Sequence, residues 1–252
     1  MLPDDFLTRP IAHRGLHRVH DGRPENSRAA VLAAVELGYG VEIDLQLTAD
    51  EKALVFHDYD LGRLTHAIGR VRDRKASDLA SINLTGGDSG PPLLADVLDI
   101  VDGRVPLLIE LKDQDGALGE DVGPLETAVA RDLDGYGGPV AVMSFNPHSV
   151  SALQTLSPEI PRGLVTDFFK PSEWRIGEAR AAELNAIADY ERVGACFISH
   201  DRRDLSMPRV AELKASGAAI LCWTVKSPEQ EAEARKIADN ITFERYLAKM
   251  PS

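Results

Sequence analysis

Eight short apolar runs, spaced along 252 residues and separated by helix-like stretches, constrain this chain more than anything else in it. They centre near residues 12, 43, 108, 142, 164, 196, 221 and 241. The first helix is capped by Asn26 or Ser27, runs to Leu37 and is ended by Gly38. Further helices are expected over 93–101, 123–133, from Asn146-Pro147 onward, and over 173–190, 208–216 and 228–237. Strands alternating with helices mean a parallel sheet, and eight of them in a chain of this length predict an α/β fold of the closed (β/α)8 TIM-barrel class. A doubly wound open sheet is the runner-up architecture. With no internal repeat, low-complexity tract or linker, residues 1–252 are expected to form a single barrel domain.

One apolar run breaks the alternation. Only five residues separate Leu47 from Ala53, whereas a parallel neighbour needs a crossover of about a dozen or more. Residues 53–57 must therefore fold back antiparallel on the second strand, as a hairpin arm outside the barrel. The segment from Tyr59 to Pro92 is irregular and rich in Gly, Asp, Ser and Thr, with one short helical turn at Ser77 to Leu79. A stretch of that length is expected to be a small insertion after the second strand and its arm.

The second strand carries the first chemical signal. Val41, Ile43, Leu45 and Leu47 alternate with Glu42, Asp44 and Gln46, so two carboxylates sit one pleat apart on one face. Like charges that close raise each other's proton affinity unless a cation lies between them. Hard oxygen donors at this spacing suit Mg²⁺ or Ca²⁺. His57-Asp58 follows the arm, and His13-Arg14-Gly15 closes the first strand. In a barrel the chemistry sits at the C-terminal ends of the strands, where Glu110, Lys112, Ser144 and Trp223 also fall. Glu110 and Lys112 are two apart and share a face. Two carboxylates, two histidines and an arginine near strand ends describe a phosphoester site better than a surface.

The net charge of −12 argues against general nucleic-acid binding and against docking on anionic membranes. An acidic chain that handles an anionic substrate must concentrate positive charge locally. Cys196 and Cys222 lie in apolar runs and read as reduced core thiols. Met1 to Arg9 has neither a basic n-region nor an apolar h-region, and no run of about 18 apolar residues occurs. No signal peptide and no membrane span are expected, and the cytoplasm is the default location.

Together the motifs His13-Arg14-Gly15, Pro24-Glu25-Asn26-Ser27, Glu42-Ile43-Asp44-Leu45, Val55-Phe56-His57-Asp58, Leu61-Gly62-Arg63-Leu64-Thr65, Ile109-Glu110-Leu111-Lys112, Ser144-Phe145 and Trp223-Thr224 resemble the glycerophosphodiester phosphodiesterase family, in that family's order. The resemblance implies a barrel enzyme that cleaves glycerophosphodiesters to glycerol 3-phosphate and an alcohol, with a place in lipid and glycerol metabolism. It implies one divalent cation, Mg²⁺ or Ca²⁺, on Glu42, Asp44 and Glu110, and catalytic histidines at His13 and His57. The segment 59–92 matches the family's small insertion. At the last strand the sequence departs, with Ile241-Thr242-Phe243-Glu244-Arg245 where the family usually has an Asp near a Pro.

The chemistry is consistent without the family. A phosphodiester monoanion needs charge withdrawn from its non-bridging oxygens, and Arg14 and Lys112 can add to that. In-line displacement needs a base on one side of phosphorus and an acid on the other, and two histidines can flank it as one cannot. Trp223 is expected to wall the glycerol pocket. His17, His20, His66, His148 and His200 are read as surface or loop residues. The alternatives are a lysophospholipase D- or sphingomyelinase D-like enzyme, a cyclising phospholipase C-like enzyme, or a barrel that binds glycerophosphodiesters without turnover. The polar, acidic loops favour a small soluble substrate over lipid.

Overall fold

A computed structural model describes residues 1–172, 174 and 176–250. Its elements run α1 (Asp5–Thr8), β1 (Ile11–Ala12), α2 (Arg28–Glu36), β2 (Gly40–Leu47), β3 (Ala53–Val55), α3 (Ala76–Ala80), α4 (Leu94–Val101) and β4 (Leu107–Leu111). There follow α5 (Pro124–Leu133), β5 (Val140–Ser144), α6 (Pro147–Leu156), β6 (Arg162–Thr166), α7 (Glu178–Asn185), β7 (Phe197–Asp201), α8 (Pro208–Ala215), β8 (Ala219–Val225), α9 (Pro228–Ala234) and β9 (Asn240–Phe243).

Eight of the strands close a parallel barrel in the order β1-β9-β8-β7-β6-β5-β4-β2, sealed by the β1–β2 pairing. β3 lies antiparallel on the end of β2, with Leu45 opposite Val55 and Leu47 opposite Ala53. The short turn forces that direction, as the five-residue gap requires. Segment 59–92 packs on the arm through a separate apolar cluster, in which Leu54 and Phe56 of the arm meet Leu61, Val71, Leu79 and Leu84, all buried.

Two layers of apolar side chains hold the barrel. Outward residues such as Val41, Ile43 and Ile109 pack under the helices, and inward ones such as Leu108, Ala141, Val165, Phe197 and Leu221 fill the lower interior. Gly163 makes room there, since a Cβ on it would meet the Phe197 ring at 2.5 Å. The short helix α1, which sequence periodicity does not reveal, inserts fully buried Phe6 into the same cluster. Burying a side chain of that size is worth about 1.5–3 kcal/mol. Asn240 at the start of β9 anchors it, donating to the carbonyls of Phe6 (2.7 Å) and Arg9 (2.6 Å).

Several boundaries differ from expectation, each for a local reason. β1 stops at Ala12 because Arg14 and Gly15 turn into the left-handed region (φ 55° and 74°). The strand expected at 194–199 starts instead at Phe197, because Gly194 and Ala195 are still closing a turn onto Glu191 and Tyr190. That shift carries His200 into β7, where it is fully buried with Nδ1 2.7 Å from Thr166 Oγ1, and not in a loop. The helix expected over 173–190 is confined to Glu178–Asn185, and its expected first residue, Glu173, lies outside the described residues. Both cysteines are free thiols, Cys222 buried and Cys196 partly so. Among the described residues no helix is long and apolar enough to cross a membrane.

Candidate active site

The register of the sheet assembles the acids. Asp44 of β2 pairs with Glu110 of β4, and Glu42 lies two residues back on the same face of β2. All three are buried, and ligand oxygens from each lie within 4.8 Å of one another. Lys112 joins them, its Nζ 2.7 Å from Asp44 Oδ1 and 2.5 Å from Glu110 Oε1. Arg14 Nε stands 3.3 Å from Asp44 Oδ2, and Asn26 Nδ2 donates to the same oxygen at 2.8 Å.

These partners divide the electrostatics unevenly. Burial works against the ionised form of Asp44, but Lys112, His57 and Arg14 hold its pKa well below the ordinary carboxylate range. Among the described residues Glu42 has no ammonium partner. Burial and the charges of Asp44 and Glu110 push its pKa well up. Lys112 is held in its charged form, since Asp44 and Glu110 outweigh its burial.

The loop after β1 owes its shape to glycine. A Cβ on Gly15 would lie 2.7 Å from the carbonyl carbon of Ala30, so the chain passes the start of α2 where no side chain fits. This brings the Arg14 amide onto Glu42 Oε2 (2.9 Å) and the Arg14 guanidinium onto Glu25 (2.6 Å). Glu25 also binds Arg63 of the insertion, which in turn clamps Asp58 beside His57. An unbroken chain of ion pairs thus ties the first barrel loop to the hairpin arm.

Each histidine has its own carboxylate on Nδ1, Glu244 for His13 (2.7 Å) and Asp58 for His57 (2.6 Å). That contact leaves Nε2 as the free ring nitrogen of each. Burial lowers the pKa of His13 to about 4 even though the Glu244 hydrogen bond opposes it. The Glu244 carboxylate stays ionised despite partial burial, because His13, His17 and Lys226 surround it.

His13, Arg14, Glu42, His57, Glu110, Lys112 and Trp223 all line one pocket of about 100 Å³, with Asp44 buried behind them. Every residue expected to be catalytic, metal-ligating or substrate-binding is thus drawn to one place. Other residues join them. The sequence shows Glu244 only as a departure at the last strand, although its position at a strand end marks it. Ser199 and Thr242 line the same pocket, buried, and among the described residues their hydroxyls have no hydrogen-bond partner. Ser144, by contrast, spends its hydroxyl on the carbonyl of Leu111 (2.7 Å).

The model of the glycerophosphoryl diester phosphodiesterase family matches residues 13–241. The chain belongs to that family. It is similar to YhdW of Bacillus subtilis, 29% identical over 88% of each chain. A glycerophosphodiester phosphodiesterase of Caldanaerobacter subterraneus subsp. tengcongensis is 30% identical over 87% of this chain and 86% of its own. An Oleispira antarctica phosphodiesterase, solved with the product sn-glycerol-3-phosphate, shares the fold at a TM-score of 0.76, with 24% identity over 95% of this chain and 93% of that one. The protein is accordingly a glycerophosphodiester phosphodiesterase, a barrel hydrolase acting on glycerophosphodiesters.

Proposed function

We propose that His13 and His57 perform the hydrolysis as base and acid across a phosphoryl group bound over Glu42, Asp44 and Glu110. The observation that carries this reading is that two histidines, each backed by its own carboxylate, face one pocket above three buried acids. The donor set is all carboxylate oxygen, and Glu42 is repelled by its neighbours, which fits a hard divalent cation such as Mg²⁺ or Ca²⁺. When bound, such an ion withdraws charge from the phosphoryl oxygens and orients the group. Arg14 and Lys112 add fixed positive charge at the same rim.

His13, neutral above pH 4 or so, suits the base. Its Nε2 takes the proton of the attacking hydroxyl, and Glu244 steadies the imidazolium that forms. His57 gives its Nε2 proton to the departing alkoxide as the P–O bond breaks, while Asp58 holds the ring. The products are glycerol 3-phosphate and an alcohol. Purified protein should therefore release glycerol 3-phosphate from glycerophosphocholine and glycerophosphoethanolamine, and lose that activity with chelator. No release from either would sink the reading.

The nucleophile is either water or the glycerol 2-hydroxyl, which proximity favours and which would pass through a cyclic phosphate. Bis(p-nitrophenyl) phosphate lacks a vicinal hydroxyl and separates the two. Low turnover beside fast glycerophosphocholine hydrolysis is expected for internal attack, and comparable turnover excludes it.

Glu244 should act through His13. Glu244→Gln is expected to lower turnover about tenfold to a hundredfold, the range for losing a group that orients a functional histidine. The sign of its pH effect follows from the hydrogen bond. Glu244 raises the pKa of His13, so its loss should move the acid limb of kcat/KM that reports His13 to lower pH. An unmoved limb with full turnover would show Glu244 to be a rim residue only.

A further inference from the structure

The pocket with the histidines opens into a second chamber of about 550 Å³, sharing His57, Glu110, Lys112, Phe145 and Trp223 with it. The two differ in chemistry. The small inner one carries the unpartnered hydroxyls of Ser199 and Thr242, suited to a polyol. The large outer one is walled by aromatic rings and rimmed by acids. Trp174 lies against Phe145 with ring centroids 4.9 Å apart, and Phe145 meets Trp223 edge-on at 5.6 Å. The wall therefore runs unbroken from the inner pocket to the outer rim. Its rings are fixed, since Trp223 Nε1 donates to the Ser199 carbonyl (3.0 Å) and Trp174 Nε1 to Asp167 (3.2 Å).

The charges around the outer chamber are mostly negative. Asp58, Asp60, Glu110 and Asp113 face it, against Lys112 and the His57 ring that carries the acid proton. Lys112 is already paired with Glu110 and Asp44, and Asp58 with Arg63. Among the described residues Asp60 and Asp113 have no cationic partner. Asp60 is exposed at the rim, and Asp113 accepts from the amides of Gly116 and Leu118 and from Asn146. Aromatic faces with nearby carboxylates attract an organic cation and repel an anion.

We propose that the outer chamber selects the alcohol half of the substrate, favouring a cationic headgroup such as choline or ethanolamine over neutral or anionic ones. This rests on the reading of the inner pocket as the hydrolytic site. The glycerol lies inward on Ser199 and Thr242, and the cationic alcohol lies outward on Trp174, Trp223 and Asp60. An apolar occupant, such as an acyl chain, would fill the aromatic wall but leave the acidic rim without a partner.

The test is a comparison of kcat/KM for glycerophosphocholine, glycerophosphoethanolamine, glycerophosphoglycerol and 1-palmitoyl lysophosphatidylcholine with metal-loaded protein. The two cationic diesters should exceed glycerophosphoglycerol by about tenfold, the size of one well-formed cation–aromatic contact. Trp174→Leu and Asp60→Asn should each shrink that ratio, through KM, while Ser199→Ala should raise KM for all headgroups alike. Equal rates across headgroups, a ratio unmoved by both outer variants, or preference for the lysolipid would overturn the proposal. If no diester is turned over, the hydrolytic reading fails separately. Headgroup choice is then read by calorimetry, where equal affinities for glycerophosphocholine and glycerophosphoglycerol would overturn it.

Discussion

Alanine at His13 or at His57 should each lower turnover of glycerophosphocholine by about 10²- to 10⁴-fold, the usual contribution of a positioned acid or base. The fold should survive, because neither ring belongs to the apolar clusters that hold the barrel and its insertion. The double variant should be little worse than the poorer single one, since acid and base act on one displacement and their losses do not add. Thermal unfolding beside the kinetics separates the cases. Near-native turnover in either single variant at saturating metal would end the two-histidine account. Strictly additive losses would mean that the rings serve separate steps.

Glu42 offers the second large effect, and its sign is unusual. In the metal-free protein its charge is disfavoured by burial and by Asp44 and Glu110. Glu42→Gln should therefore leave metal-free stability unchanged or higher, while reducing turnover at least about a hundredfold, because Lewis-acid stabilisation is worth several kcal/mol. Asp44→Ala should behave oppositely. It takes from Lys112 and Arg14 the carboxylate they share, leaving them Glu110 and Glu25, and removing one member of a buried ion pair costs up to about 3–5 kcal/mol. Thermal unfolding with chelator, beside turnover with metal, reads both. A Glu42→Gln protein that is markedly less stable without metal, or fully active with it, would contradict this view of the acid cluster.

Most of this architecture is legible in the sequence, for identifiable reasons. Strand–helix alternation is a local property of the chain, and the five-residue gap before Ala53 is a hard geometric limit, so barrel and arm both followed. Glu42, Asp44, Glu110 and Lys112 could be read because strand periodicity and the C-terminal-end rule point them to one place. What escaped depends on contacts between distant segments. The His13–Glu244 pairing spans 231 residues and exists only because β1 and β9 meet at the closure of the barrel. β7 starts later than its apolar run suggests, which hid the burial of His200. Trp174 reaches the outer chamber from a loop whose course no periodicity encodes. The helix α1 is only four residues long, below the length at which a helical pattern can be recognised.

The most direct single measurement is a crystal structure of the protein with Mn²⁺ and glycerol 3-phosphate, with the anomalous signal locating the metal. The account predicts one peak bound by oxygens of Glu42, Asp44 and Glu110, with the phosphoryl group between the Nε2 atoms of His13 and His57 and the glycerol on Ser199 and Thr242. A metal elsewhere, or a phosphoryl group out of reach of either histidine, would contradict it.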